Sequence, residues 1–493
     1  MSAATGTDPQ LPQPERAQSL ARYLESRLSA PGAIDARGFE AFLDAQRRLG
    51  LTHGERALCR HLRPIVISRA RYREMACAAE LIVAALAAVA ARARVDPALA
   101  DELGLSPDER TLAAIDPGYP QPLAVGRLDM LVDVDGFHVL ELNADSPAGI
   151  TDQPLVQRAL GELPHLRRGR ASWLPALAAW AQGSGGARPD LALLAGLREI
   201  FAAWGGGQTL STIAIVDWCG GDTAGELQAV CELFNAGGHQ AVCVDPGQLS
   251  YTRGRLWAEV ADDNGGAWGR LRSMPVDLVY RRIITSELVA RRGLGHPLIR
   301  AYRDGAVCVA NSFRTKAMNK KAAFAVLTDP RHAGLFSDEQ RQAIAAHVPW
   351  TRRVRPEMTE ELIARREELV LKPNDEYGGK GVQLGWFTPP DAWATAVAAA
   401  AADQQGAVVA QERRRPRMVR LPTYRDRVVY EDVYFDICPF LFAGRAEGAM
   451  VRVSATPVSN VSAGGGIAGL LIAGDGDGGD GAAGEVAGEA SLV

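Results

Sequence analysis

The chain has 493 residues, 47% of them apolar, and its 54 Lys and Arg stand against 58 Asp and Glu for a formal net charge of −4. That is enough apolar material for a large core spread over roughly two to four domains. The near balance of charge argues against nucleic acid or membrane as a partner, while leaving room for a local basic cleft that takes phosphates.

The first residues, to about position 16, are polar and Pro-containing, with no basic segment leading into an apolar one, so no secretory leader is expected. From about 17 to 100, apolar residues recur at three- and four-residue steps, and 1–120 reads as a mainly helical region. Its longest apolar run, Ala78 to Ala91, is shorter than the ~20 residues of a membrane span and is followed at once by Arg92 and Arg94, which predicts a buried helix. Seven scattered cysteines, an odd number with no metal-clamp spacing, predict reduced, mostly buried thiols in a cytoplasmic protein.

GRLDMLVDVDGFHVLELNADSPAG, from Gly126, reads as a hairpin with strands over Leu128–Val134 and Phe137–Leu142 joined at Asp135-Gly136. Helices follow over about 152–203, completing a unit at 121–204. A βαβ pattern begins near Thr212, with further strands over Asp277–Ile283 and Ala306–Asn311, and defines a small α/β domain at 205–312. Its glycines do not follow G-x-G-x-x-G, so a dinucleotide site is not supported. Residues 313–472 begin as helix, then give strand, Gly-rich loop and strand (LVLKPNDEYGGKGVQLGW), a strand in VVAQERRR, and more strands from Val428 to Ile472. The tail at 473–493 is Gly- and Asp-rich and reads as disordered.

Side chains two apart on a strand share a face, so Glu141 and Asn143 project together, and the hairpin can bring Asp129 across from them. Two carboxylates and an amide oxygen are hard ligands suited to Mg²⁺, although a surface hairpin with ordinary acids reads the same way. Lys372 ends an apolar strand before a loop in which Gly378, Gly379 and Gly381 let backbone N–H groups approach phosphate oxygens. Arg452 is a candidate for bidentate contact with a phosphate or carboxylate. Gly464, Gly465 and Gly466 offer a second anion nest, and Asn460 is a weaker candidate. Of Arg281 and Arg282, which alternate in direction, at most one faces a cleft.

R-x-D followed by E-x-N resembles the metal-binding strands of ATP-grasp ligases. GRLD…ELNADS is similar to the corresponding segment of the glutathionylspermidine synthase type. The resemblance covers roughly 120–472 and implies an α/β (α+β) ATP-grasp fold. Because the metal motif precedes the nucleotide strands, it also implies a circular permutation, with a small α/β pre-ATP-grasp domain. It implies ATP and Mg²⁺ as cofactors, with Asp129, Glu141 and Asn143 as metal ligands and Arg127 as the charge-stabilising group. Lys372 then resembles the α-phosphate lysine, and of Lys320 and Lys321 the pattern favours Lys321 as the second. The GGKG loop resembles the phosphate lid. Gln411 and Glu412 occupy the hinge that meets adenine, followed by Arg413, Arg414 and Arg415 as a solvated run or substrate-facing patch. Asp432 and Asp436 flank a strand similar to the family's substrate side.

The implied activity is ATP-dependent joining of a small-molecule carboxylate to an amine through an acyl phosphate, which needs positioning and charge neutralisation rather than a protein nucleophile. A phosphotransferase and a non-catalytic ATP-binding subunit are the rival readings.

Overall fold

The computed structural model describes residues 13–29, 33–133, 136–167, 180, 188–221, 223–261, 271–403, 407–457 and 464–473. Val134 and Asp135 of the expected turn, Asn460, and the tail from 474 lie outside them.

The Ala-rich run forms the helix Arg69–Ala93, started by Ser68, whose hydroxyl accepts from the Arg71 amide at 3.1 Å. Small and branched residues at helical spacing (Met75, Ala78, Ile82, Leu86, Val89) are buried. They pack against the helix Asp338–His347 and the strands Arg427–Phe442 and Arg445–Ser454. Among the described residues this is the one helix long and apolar enough to cross a membrane, and half of its apolar window is buried inside the protein.

The mainly helical 17–100 region also holds short strands that its sequence did not announce. Thr52–His53 and Arg56–Ala57 form a small hairpin, and Ile65–Ser68 is a strand parallel to Leu470–Ala473. Four residues are too few to display a period of two, and the partner lies some 400 residues away.

The central sheet has the order Gly466–Ala468, Arg445–Ser454, Arg427–Phe442, Val125–Val132, Phe137–Asn143, with Met418–Arg425 paired to Arg427–Phe442. The hairpin near residue 130 thus completes a sheet whose other strands lie about 300 residues later. Its register sets Arg127 opposite Asn143 and Asp129 opposite Glu141, with an irregularity just after Asp129. On the other flank, Asp436 pairs with Arg452.

A second antiparallel sheet runs Thr351–Arg353, Val408–Glu412, Leu369–Pro373, Gln383–Leu384. The small domain holds a parallel sheet in the order Cys308–Ala310, Leu278–Arg281, Thr212–Val216, Gln240–Val244. Beside it stands a three-stranded meander (Leu249–Thr252, Arg255–Ala261, Leu271–Pro275) that the sequence reading did not separate. Buried Asn311 fastens the parallel sheet to the central one. Its amide oxygen accepts from the Ala124 and Val125 amides at 2.9 and 2.8 Å, and its nitrogen donates to the Val125 and Ala144 carbonyls at 2.6 and 2.8 Å. Of the seven cysteines, all free, four are buried and Cys77, Cys219 and Cys243 are exposed.

Candidate active site

A cleft of about 560 Å³ opens between the central sheet, the second antiparallel sheet and the parallel sheet. Arg127, Asp129, Glu141 and Asn143 line it together, because the hairpin register puts alternate residues of both strands on one face. Asp129 is buried; Arg127 donates to it from Nε at 2.8 Å and from Nη2 at 3.3 Å, and Arg452 Nη2 stands 2.9 Å away. Burial alone would raise its pKa, but the two guanidinium groups hold it well below the usual carboxylate range. Arg452 is also clamped by Asp436, from Nη2 at 2.6 Å and Nε at 3.0 Å. Arg127 reaches onward to the Ala148 carbonyl at 2.8 Å, which ties it to the loop after the hairpin.

The opposite wall carries the lysines. Lys372 is buried at the end of its strand and donates to Gln411 Oε1 at 2.7 Å; desolvation pulls its pKa down to about 8. Gln411 is fixed by donating to Thr351 Oγ1 at 3.1 Å and the Leu140 carbonyl at 3.3 Å. Lys321 reaches the cleft, with Nζ 3.3 Å from Glu141 Oε2 and 2.7 Å from the Glu376 carbonyl. Lys320 turns the other way, to Glu109 at 3.0 Å and Asp375 at 2.8 Å, so the two lysines are separated by geometry.

Gly378, Gly379 and Gly381 all have φ near +70°, which explains the residue type. Gly378 and Gly379 line the cleft, while Gly381 sits at the loop's base, where a Cβ would fall 2.7 Å from Pro373 Cγ. At the tip, the Tyr377 hydroxyl donates to Glu287 at 3.0 Å, and Trp218 Nε1 donates to the same carboxylate at 2.8 Å. Glu412 lines the cleft and accepts from Arg414 at 2.9 Å.

Residues 270–411, under a third of the chain, match the family described as a circularly permuted ATP-grasp. A glutathione synthetase-like effector from Globodera pallida superposes with a TM-score of 0.59 over 90% of this chain and 99% of its own, at 13% identity. The fold is that of a circularly permuted ATP-grasp protein. A Frankia alni protein provisionally named glutamate–cysteine ligase 2-3 is 36% identical over 124 residues, 24% of this chain and 14% of its own length. The corresponding 2-2 protein of Frankia casuarinae is 33% identical over the same length. The chain therefore spans about a seventh of these curated relatives.

An ATP-grasp fold implies Mg-ATP, and the donor set suits it. Asp129 and Glu141 bring two carboxyl groups within hydrogen-bond reach of each other, hard oxygen donors of the kind a magnesium ion takes. Asn143, whose side-chain nitrogen donates to the Arg127 carbonyl at 3.5 Å, adds an amide oxygen.

Several expected residues stand elsewhere. Asp432 is exposed and paired across the strands with Arg420, away from the cleft. Gly466 packs beside the N-terminal region, where a Cβ would meet the Leu58 carbonyl at 2.6 Å, Gly464 is exposed with open space around it, and none of Gly464, Gly465 and Gly466 lines the cleft. Arg281 is sealed against Asp145 at 2.6 Å, and it is Arg282 that lines the cleft, paired with Glu226 at 3.2 Å. Arg413 lies over the Trp386 ring at 4.0 Å. The sequence reading missed Asp152, Asp217 and Glu226, which line the parallel-sheet side, because helix text and a βα loop carry no spacing that marks them.

Proposed function

We propose that this chain is an ATP-dependent ligase that joins a carboxylate to an amine, with Mg-ATP supplying the phosphoryl group that activates the carboxylate. The observation that carries the reading is the facing of Asp129, Glu141 and Asn143 toward Lys321 and Lys372 across one cleft beneath a Gly-rich loop. In this reading Asp129, Glu141 and Asn143 hold magnesium. Lys321, Lys372 and the backbone of Gly378 and Gly379 hold phosphates, with Gly381 shaping the base of their loop, and Gln411 and Glu412 border the adenine. Arg127 and Arg452 stabilise the charge that builds on the transferred group and on the acyl oxygen. The loop excludes water from the activated acyl group. The central sheet and the 313–472 segment form the ATP-binding lobes, and 205–312 forms the substrate-side domain. Relatives named for glutamate–cysteine ligation support amino acids as the first carboxylates to try.

The test is ADP release from Mg-ATP against pools of amino acids and amines. An acid with an amine should stimulate release, and Glu141→Ala should reduce it about 100-fold. Release with an alcohol and no amine would favour a phosphotransferase. Failure to bind ATP would end the reading.

A further inference from the structure

In the small domain the chain leaves the strand Thr212–Val216, adds Gln240–Val244 on one side, then returns to add Leu278–Arg281 on the other. The crevice between the carboxyl ends of Thr212–Val216 and Leu278–Arg281 is a topological switch point, the place where open parallel sheets take ligands. The residues that follow these two strand ends are Asp217 and Arg282, and both line the cleft.

The helix Asp152–Gly161 closes the crevice from the central sheet's side, and Asp152 in its first turn also lines the cleft. The other acids around it are already engaged. Glu226 receives the Gly149 and Ile150 amides at 2.8 and 3.0 Å and pairs with Arg282. Asp145 pairs with Arg281, and Glu287 receives Trp218 and Tyr377. Among the described residues the Asp217 carboxylate accepts only the Trp218 amide, at 2.8 Å. The Asp152 carboxyl has no hydrogen-bonding or ion-pairing partner among the described residues. Arg282 lines the crevice already paired with Glu226, so Glu226, Asp152 and Asp217 bring three carboxyl groups to one guanidinium in a semi-enclosed site.

We infer that the switch-point crevice receives the amine substrate as its ammonium ion, held between Asp152 and Asp217, with Asp152 taking the proton that frees the nitrogen to attack. This rests on the ligase reading and assigns its second substrate to a place. Arg127 bridges the two regions, since it touches Asp129 and also the Ala148 carbonyl of the loop leading to Asp152. The ammonium gives one proton to the Asp152 carboxylate. The neutral amine forms the C–N bond to the acyl carbon while the bond from that carbon to the phosphate oxygen breaks, and phosphate leaves with the electron pair and the second amine proton. The electrostatics agree. Burial, and next the Glu226 charge, push Asp152 up to about 7 against the opposing pull of Arg282 and Arg127, and burial also raises Asp217. A carboxyl near 7 accepts a proton at neutral pH and releases it readily.

The experiment compares two nucleophiles on the proteinogenic amino acids as carboxylates. Hydroxylamine is neutral at pH 7 and needs no proton acceptor; the amine probes are putrescine, spermidine and the amino acids themselves, all ammonium ions. Wild-type protein should form hydroxamate with one acid and amide with at least one ammonium probe. In Asp152→Asn the ratio of amide to hydroxamate turnover should fall at least tenfold, and Asp217→Asn should raise KM for the ammonium probe at least tenfold. The wild-type limb of the amide pH profile near 7 should vanish in Asp152→Asn, which a merely structural role would not do. Hydroxamate without any ammonium probe accepted, or an unchanged ratio in Asp152→Asn, overturns the subsite and leaves the ligase reading standing. No hydroxamate from any acid counts against the ligase reading, and the subsite falls with it.

Discussion

At the scale of single residues, the paired acids of the hairpin were legible because a strand repeats every two residues. Arg127, Asp129, Glu141 and Asn143 need only that rule to share a face. Lys320 and Lys321 were not separable in the same way, because both sit where one short helix gives way to the next and only Asp375 and Glu109 decide which turns inward. Asp152 was illegible for another reason: its character comes from Glu226 and Arg282, more than 70 residues away. It also carries a stability consequence. An unfolded aspartate titrates near 3.9, whereas Asp152 in the fold titrates near 7. The fold therefore favours its protonated form; that contribution is complete below about pH 4 and is lost as pH rises through 7. Asp152→Asn removes the loss, so at pH 8.5 the variant should melt on the order of 2–4 °C above wild type. The gap should close at pH 4. A variant that melts lower than wild type at pH 8.5 would mean that the carboxylate is compensated after all.

At the scale of elements, segments with a strong local pattern were read correctly and those without one were not. The helix Arg69–Ala93 and the strand Leu369–Pro373 announced themselves, while Ile65–Ser68 and the meander Leu249–Pro275 did not, because their pairing partners set them rather than their own composition. The Gly-rich loop was legible from its glycines, and its geometry sharpens the expectation. Alanine at 381 meets both a left-handed backbone, costing about 1–2 kcal/mol, and the rigid Pro373 ring at 2.7 Å. Gly381→Ala should weaken ATP binding roughly tenfold by calorimetry, because relieving that strain displaces the loop backbone, while the melting temperature falls by only about a few degrees. Equal affinities would mean that the loop does not touch phosphate.

At the scale of the whole molecule, the order of motifs pointed to the permutation, since the hairpin proposed to hold metal comes ahead of the strands proposed to hold nucleotide, and the family matched by 270–411 is described as circularly permuted. What no local pattern carried is how the distant segments meet. Ile65–Ser68 and Leu470–Ala473 lie side by side, and Leu471, 6% exposed, is buried in the core shared by both regions. Leu471→Asp should cost roughly 3 kcal/mol or more in urea unfolding, because a charge would enter that core without a partner. A loss below 1 kcal/mol would show that the pairing is peripheral.

Glu287 serves two donors at once, the tip of the Gly-rich loop through Tyr377 and the indole of Trp218 on the substrate-side wall. Arg291 stacks over the same indole at 4.4 Å. When the loop lifts, the carboxylate loses one donor and the indole's polar surroundings change with it. In the proposed ligase, lid movement should therefore be readable as a change in Trp218 emission above the signal of the other eight tryptophans, and Trp218→Phe should abolish that change.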